Sequence, residues 1–241
     1  MEYLSVSHCH PANSSIFGGY FTPVKDTYRH KGLRKKLVDD LRNRGIEDES
    51  VLSAMLEVPR HFFIDKGFED WSYQDKAFPI GHKQTISQPY TVAYQTSLIQ
   101  VKKRKKILEV GTGSGYQATI LAVMGARVYT VERQKPLYQK TKRLLDKLNP
   151  GNIRTYFRDG YKGLPEFAPF DAILVTAGAM EIPQALKEQL AIGGRLVIPV
   201  GQKDVQVMYR ITRINKKEYK EEKFDRFRFV PFLEGLNKTG D

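Results

Sequence analysis

The hydrophobic pattern divides the chain near residue 101. Before that point, apolar residues at helical spacing predict three helices, from Thr27 to about Gly45, over residues 51–58 and over residues 89–99. An irregular, aromatic-rich stretch, residues 61–88, separates the second helix from the third. The first half of the chain is therefore expected to be mainly helical.

After residue 101, short apolar runs alternate with helical periods. The predicted strands are residues 107–110, 128–131, 153–157, 171–175 and 195–200. The predicted helices are residues 116–124, 135–148 and 183–190, the last of them ended by Gly193 and Gly194. This alternation is typical of an α/β fold with a mostly parallel sheet.

The end of the chain has a different period. Residues 205–214 alternate apolar and polar positions, and a second strand-like piece follows from Phe224 to Val230 after a charged turn at 215–222. We expect a C-terminal antiparallel hairpin added to the parallel sheet.

Domain organisation follows from the same pattern. Residues 1–25 show no sustained apolar period and are expected to form a loosely ordered arm. Residues 26–241 are expected to form one domain, with an N-terminal helical part over 26–100 and a sheet-containing core over 101–241.

Composition narrows the class of protein. The 241 residues are 41% hydrophobic and 27% charged, which excludes a wholly disordered or collagen-like chain. The apolar runs are far shorter than the ~20 residues of a membrane span, and the N-terminus lacks the pattern of a secretory signal. Cys9 is the single cysteine, which excludes an internal disulfide and a cysteine-based zinc site. We therefore expect a cytoplasmic protein without a membrane partner.

The charge balance raises the question of a nucleic-acid partner. The net charge is +12, from 39 basic and 27 acidic residues, with basic runs at 34–36, 102–106 and 216–217. These runs are spread along the chain, and no aromatic residues are interleaved with the longest of them. We interpret them mainly as solvated faces and expect no obligatory nucleic acid, although attraction to acidic partners remains open.

A glycine-rich turn between the first strand and helix of the core is the main candidate for ligand binding. Gly111, Gly113 and Gly115 follow Glu109 in a G-x-G-x-G spacing, which differs from the G-x-G-x-x-G of dinucleotide folds. A carboxylate beside the turn disfavours a pyrophosphate and suits a cationic ligand.

Two further carboxylates stand at the ends of predicted strands. Glu132 lies about 20 residues after Gly111, the spacing expected of a residue that binds ribose hydroxyls. Asp159, followed by Gly160, can accept a hydrogen bond from an adenine amino group. Singly, each acidic residue could equally be a cap, a turn former or a backbone acceptor. Together with the glycine turn they predict a site for phosphate-free adenosine, which S-adenosylmethionine fits.

Longer segments resemble one family, the protein-L-isoaspartate (D-aspartate) O-methyltransferases. The resemblance covers about residues 27–235 and is most specific in the QTISQP and GTGSGYQ segments. The matching segments are VPRHFF at 58–63, QTISQP at 84–89, the strand and glycine turn at 107–117, the block at 158–173 and the block at 182–201.

The resemblance implies a repair enzyme. Its fold would be a Rossmann-like methyltransferase sheet with the N-terminal helical part covering the site, and it would act as a monomer on damaged, isoaspartyl-containing proteins and peptides. S-adenosyl-L-methionine would be the methyl donor, S-adenosyl-L-homocysteine the product, and no metal is expected.

The resemblance also implies roles for particular residues. Ser87 would be the catalytic residue, its hydroxyl orienting the substrate carboxylate. The residues implied to bind the cofactor are Gln84, Thr85, Glu109, Gly111, Gly113, Gly115, Glu132, Asp159 and Gly160.

Other interpretations stay open at this point. Thr85 and Ser87 could cap the helix that begins near Pro89. Arg60 could contact an acidic group of the substrate or form a surface ion pair. His8, Cys9 and His10 could bind a metal, but a solvated arm is the leading interpretation. The chain could also be a methyltransferase acting on RNA or a small molecule, or a module that binds adenosine or nucleic acid without catalysis.

Overall fold

The computed structural model describes residues 25–202 and 205–239, so all but the last residue of the expected arm lies outside the described part. Three helices form the N-terminal part as predicted: α1 (Tyr28–Asn43), α2 (Glu49–Glu57) and α3 (Pro89–Ile99). None of the helices in the described residues is long and apolar enough to cross a membrane.

The stretch between α2 and α3 is more ordered than its sequence indicates. It contains 3-10 turns at Arg60–Phe63 and Lys66–Trp71, then an antiparallel hairpin of β1 (Phe78–Gly81) and β2 (Gln84–Ile86). Its turn residues, His82 and Lys83, have φ angles of 52° and 56°. Such turns usually carry Asn-Gly or Asp-Gly, so this hairpin has no turn signature in the sequence.

The sheet of the core has seven strands in the order β5-β4-β3-β6-β7-β8-β9. The strands are β3 (Lys106–Val110), β4 (Arg127–Glu132), β5 (Ile153–Phe157), β6 (Phe170–Val175), β7 (Leu190–Val200), β8 (Gln206–Arg213) and β9 (Tyr219–Phe227). The connecting helices are α4 (Tyr116–Val123), α5 (Lys135–Leu148) and α6 (Gln184–Glu188). Strands β3 to β7 pair in parallel and β8 and β9 are antiparallel, which confirms the predicted α/β class and the presence of a C-terminal hairpin. The predicted bounds of its second strand are wrong, because β9 begins at Tyr219 within the predicted turn and ends at Phe227.

The strand order reverses at β3. The chain runs from β3 outward through β4 to β5 and then returns to β6 on the other side of β3. In open α/β sheets a crevice forms at the carboxyl end of such a switch point, and ligands bind there. The glycine turn that follows β3 lies at this crevice.

The predicted end of the last crossover helix is wrong. Helix α6 ends at Glu188, and β7 begins at Leu190 and runs through Gly193 and Gly194. The pairing register shifts between Phe170 and Ala172, and a Cβ on Gly194 would lie 3.0 Å from the Phe170 carbonyl oxygen. The glycines therefore allow an irregular strand to approach β6 rather than stopping a helix.

The N-terminal helices share one core with the helices of the sheet. Leu41, Leu52 and Met55 belong to the same buried cluster as Ile120 and Leu145. Burying each such side chain stabilises the fold by about 1.5–3 kcal/mol. The N-terminal part therefore packs against α4 and α5, and α3 also contacts β6 and β7.

Candidate active site

A cavity opens at the carboxyl ends of β3 and β4, where the strand order predicts a ligand. It contains about 860 Å³ of space, part of it open to solvent. Its walls are the glycine turn, the end of β4, the segment 84–87 and the C-terminal segment 230–233.

The glycine turn lies against β6 and α5. The Thr176 hydroxyl donates to the Gly111 carbonyl at 2.8 Å. A Cβ on Gly111 would lie 2.4 Å from the Thr176 hydroxyl oxygen, Oγ1. Gly111 and Gly113 line the cavity. Gly115 precedes α4 with φ of 86°, and a Cβ there would lie 3.0 Å from Thr141 Cγ2. Gly115 packs against α5 and is not among the cavity-lining residues, so its contact with the cofactor remains a prediction.

Glu132 joins the glycine turn to α5. The Gly113 N–H donates to Oε2 at 3.0 Å and the Gln134 N–H donates to Oε1 at 2.9 Å. Burial raises the pKa of this carboxyl. A carboxylate has about four acceptor sites. The structure thus gives Glu132 a capping contact, and its carboxylate also lines the cavity with acceptor capacity left for a ligand.

Glu109 lies at the base of the cavity with no exposed surface. The Thr130 hydroxyl donates to Oε2 at 2.5 Å, and Oε1 has no hydrogen-bond partner among the described residues. Burial raises the pKa of Glu109 to about 8. In this structure the side chain is therefore mainly a neutral carboxylic acid near pH 7, with a polar atom available to a ligand.

Asp159 and Gly160 occupy different positions relative to the cavity. The Tyr161 N–H donates to Asp159 Oδ1 at 3.0 Å, so this side chain caps a 3-10 turn. Gly160 lines the cavity and Asp159 is not among the lining residues. A Cβ on Gly160 would lie 2.5 Å from Val110 Cγ1. The adenine contact of Asp159 remains a prediction.

Gln84, Thr85 and Ser87 lie together on the cavity wall. Helix α3 has no side-chain cap of its own, and Asp75 accepts instead from the Tyr90 N–H at 2.8 Å. The interpretation of Thr85 and Ser87 as caps is therefore wrong.

Arg60 supports the backbone of Ser87. Its Nη2 donates to the Ser87 carbonyl at 2.8 Å, and its Nε donates to the Ser72 carbonyl at 3.1 Å. The guanidinium has no exposed surface and lies 4.9 Å from the Tyr116 ring centre. Burial lowers the pKa of Arg60 to about 10, which still leaves it charged near neutrality. The expectation of a surface ion pair is wrong, because burial depends on contacts distant in sequence.

The C-terminal segment supplies a wall that sequence reasoning missed. The Gly178 N–H donates to the Val230 carbonyl and the Phe232 N–H donates to the Gly178 carbonyl, both at 2.8 Å. The Phe232 and Tyr161 rings stack with centres 4.2 Å apart. The aromatic spacing near 224–230 indicated a strand, but nothing in it indicated a return across the sheet.

A second cavity adjoins the first. Thr85, Ser87, Thr176 and Val230 line both cavities, so they form the partition between them. The second cavity also includes Arg44, Tyr90, Arg226 and Arg228 on its walls. Its outer wall is therefore basic.

The positive charges of this outer wall differ in their surroundings. Arg44 forms an ion pair with Asp75, and its guanidinium lies 4.0 Å from the Tyr90 ring centre. Arg226 and Arg228 are exposed. An anionic ligand entering the second cavity would therefore meet chiefly the last two arginines.

Comparisons with known proteins identify one family. The model of the protein-L-isoaspartate(D-aspartate) O-methyltransferase family matches residues 32–237. Proteins named protein-L-isoaspartate O-methyltransferase from Flavobacterium johnsoniae and Christiangramia forsetii are 58% and 56% identical over 214 residues, which is 89% of this chain and 100% of each relative.

A solved structure agrees with these matches. It is that of a Plasmodium falciparum protein assigned as a protein-L-isoaspartate O-methyltransferase, in complex with S-adenosyl-L-homocysteine. That chain is 30% identical and superposes with a TM-score of 0.74, covering 83% of this chain and 98% of its own length.

The raised pKa of Glu109 predicts a pH-dependent effect of Glu109→Gln. The folded pKa of about 8 lies above the ~4.3 of an exposed glutamate, so this group's contribution to stability is complete below pH ~4.3 and is lost as the pH rises through about 8. Glutamine does not titrate. The free energy of unfolding of the variant minus that of the wild type should therefore increase from pH 5 to pH 8, as measured by urea denaturation.

The exposed Glu166→Gln variant, which removes a surface carboxyl, is the matched control. A difference for Glu109→Gln that does not change with pH would contradict a burial-driven shift at Glu109.

Proposed function

The chain belongs to the protein-L-isoaspartate(D-aspartate) O-methyltransferase family, and from this premise we propose how its two cavities divide the reaction. It is a repair enzyme that transfers the methyl group of S-adenosyl-L-methionine to the free carboxyl of L-isoaspartyl residues. We place the donor in the first cavity and the damaged peptide in the second. The observation that carries this assignment is that Ser87 lines both cavities.

The first cavity suits an adenosine that carries a cation and no phosphate. Glu132 offers oxygen acceptors to ribose hydroxyls at the end of β4, as the dinucleotide-type folds do. The buried Glu109 has an oxygen without a partner at the base of the cavity. A positive ligand nearby would favour the ionised form of this carboxyl, so binding a sulfonium and ionising Glu109 stabilise each other.

Methyl transfer from a sulfonium to a carboxylate removes charge. The donor supplies an electrophilic methyl group, which forms a bond to a carboxylate oxygen while the sulfur keeps the electrons of the broken bond. Because both reactants lose charge on the way to the transition state, a site that excludes water favours the reaction. The carboxylate is ionised near pH 7, with a reference pKa of about 4, so no general base is needed.

Ser87 is positioned to orient the acceptor carboxylate. Its hydroxyl can donate a hydrogen bond to one oxygen of an anion lying at the partition, while Arg60 holds its backbone in place. Alignment of oxygen, methyl carbon and sulfur is the main requirement of such a transfer. We therefore propose Ser87 as the catalytic residue that contacts the substrate.

The outer wall of the second cavity fits an anionic peptide. Arg226 and Arg228 place two exposed positive charges beside the partition, and a free isoaspartyl carboxylate carries the opposite charge.

We also propose that the protein is a monomer and lies in the cytoplasm. The cytoplasmic assignment is supported by the single cysteine in the sequence.

A comparative methyl-transfer assay tests the function. Radiolabelled donor is offered with an isoaspartyl peptide, with the same peptide carrying normal aspartate, and with bulk RNA. We expect base-labile methyl incorporation into the isoaspartyl peptide alone. Incorporation into RNA, or equal labelling of both peptides, would contradict the proposed acceptor.

Ser87→Ala separates catalysis from donor binding. Loss of a hydrogen bond to a charged group costs about 1.5–3 kcal/mol, so we expect kcat to fall roughly 10- to 100-fold. The affinity for S-adenosylhomocysteine, measured by calorimetry, should be nearly unchanged. Ser97→Ala in α3, whose hydroxyl donates to the Ala93 carbonyl, is the matched control and should retain turnover. Equal losses of turnover and product affinity in Ser87→Ala would instead indicate a structural role.

The basic wall predicts an effect on KM. Replacing Arg226 and Arg228 with serine should raise KM for the isoaspartyl peptide by roughly threefold per arginine, because exposed ion pairs contribute up to about 1 kcal/mol. The effect should shrink at high salt. Lys216→Ser/Lys217→Ser in the β8–β9 turn makes the same change in net charge and should leave KM unaltered. Equal effects of the two double variants would show that net charge alone attracts the substrate.

A further inference from the structure

A group of metal-ligand side chains lies outside the active site, where the start of α1 meets the 3-10 turn Arg60–Phe63. Asp26, His30 and His61 each offer one ligand atom, and the three atoms lie within 4.8 Å of one another. The two imidazole centres are 3.8 Å apart, and the histidines are only 7% and 2% exposed. Methyl transfer as described above uses none of these side chains.

The outward-facing nitrogen of each imidazole is already held. His61 Nδ1 lies 2.7 Å from the Tyr73 hydroxyl, and His30 Nε2 lies 3.3 Å from Glu69 Oε1. Histidines that bind metals usually donate their other ring N–H to such oxygen partners, which orient the ring. The other ring nitrogens, His61 Nε2 and His30 Nδ1, are the candidate ligand atoms, although His30 Nδ1 also takes part in the capping box of α1.

The remaining ring nitrogens differ in their contacts. His61 Nε2 is buried and has no hydrogen-bond partner among the described residues. His30 Nδ1 lies 3.3 Å from the Thr27 nitrogen and 3.1 Å from the Lys25 carbonyl oxygen. It accepts from Thr27 in one tautomer of the ring and donates to Lys25 in the other, so either tautomer leaves one contact unmade. A buried nitrogen without a partner, such as that of His61, is costly unless a ligand satisfies it.

We propose that Asp26, His30 and His61, with the Lys25 carbonyl, bind a divalent transition-metal ion of the zinc type. Ligands in a tetrahedral zinc site lie about 3.4 Å apart, given bonds of about 2.0–2.1 Å, so the largest separation, up to 4.8 Å, has to shorten by up to about 1.4 Å. Two imidazoles and a carboxylate favour zinc-like ions over calcium or magnesium.

Arg34 orients one ligand of this site and weakens the affinity of the site for a cation. Its guanidinium donates to both oxygens of Asp26 at 3.0 Å, which orients the carboxylate for a third partner. Its positive charge also opposes a divalent ion, and Glu69 partly compensates for that charge. The expected affinity is therefore moderate, below that of a closed cysteine site.

The bound ion would act on stability rather than on the methyl transfer. It would fix the start of α1 to the turn that contains Arg60, and Arg60 donates to the carbonyl of Ser87. The site would thus strengthen the part of the molecule that supports the cavity partition.

The test uses the full chain with His8, Cys9 and His10 replaced by alanine, because these three residues, which lie outside the described part, could bind zinc themselves. The protein is stripped with a chelator and titrated with zinc against a chromophoric competitor. We expect one zinc ion per chain and a rise in Tm, with no such rise on adding magnesium.

Two variants locate the ion. His61→Gln should abolish binding, and Glu69→Gln should weaken it by about tenfold or more, as the loss of an orienting partner does. The matched control is Asp70→Asn, the neighbouring exposed carboxylate that pairs with Arg29, and it should bind zinc like the parent. Circular dichroism and S-adenosylhomocysteine binding show whether each variant is folded. If His61→Gln does not fold, the comparison of zinc affinity between Glu69→Gln and Asp70→Asn still tests whether the ion binds at this site.

Two results would overturn the proposal. They are loss of all zinc binding on replacing the arm residues, and equal zinc affinity in the parent and Glu69→Gln.

Discussion

The buried guanidinium of Arg60 is the constraint on which the arrangement of the site depends. It lies without exposed surface under the Tyr116 ring and donates to the backbone carbonyls of Ser72, Lys76 and Ser87. A buried charge is tolerated only while its hydrogen-bond partners remain in place, because losing them costs several kcal/mol. The 3-10 turn, the segment before the hairpin and the loop before α3 therefore have to fold together.

The donor cavity contains two buried carboxyl groups, Glu109 and Glu132, whose surroundings differ. Glu132 is satisfied by backbone N–H groups, whereas Glu109 keeps an unpartnered oxygen and a pKa raised to about 8. The protein therefore holds one carboxyl with both oxygens hydrogen-bonded and one with a single unpartnered oxygen, which a cation can ionise. This division suits a ligand whose positive charge disappears when the methyl group leaves, since the product then loses the attraction that held the donor.

Much of the molecule could be predicted from local patterns. The helix over Lys135–Leu148 and the strand over Ile153–Phe157 match their predicted bounds, because their apolar periods and flanking turn residues agree. The hairpin at residues 78–86 could not be found, because its turn uses His82 and Lys83 in a left-handed conformation without the usual glycine. The pair Gly193 and Gly194 was misassigned because glycines that end a helix and glycines that admit a close strand look alike in a sequence.

The sequence by itself determined the α/β class, the family, the glycine turn and the acidic residues at the strand ends, since these depend on residue type and spacing along one segment. Only the tertiary structure decided that Glu109 and Glu132 line the cavity while Asp159 caps a turn beyond its lining. It also decided that Ser87 stands between two cavities and that Val230 closes both. These facts arise from contacts between residues far apart in the chain. Burial and the resulting pKa shifts depend on such contacts rather than on the local sequence pattern.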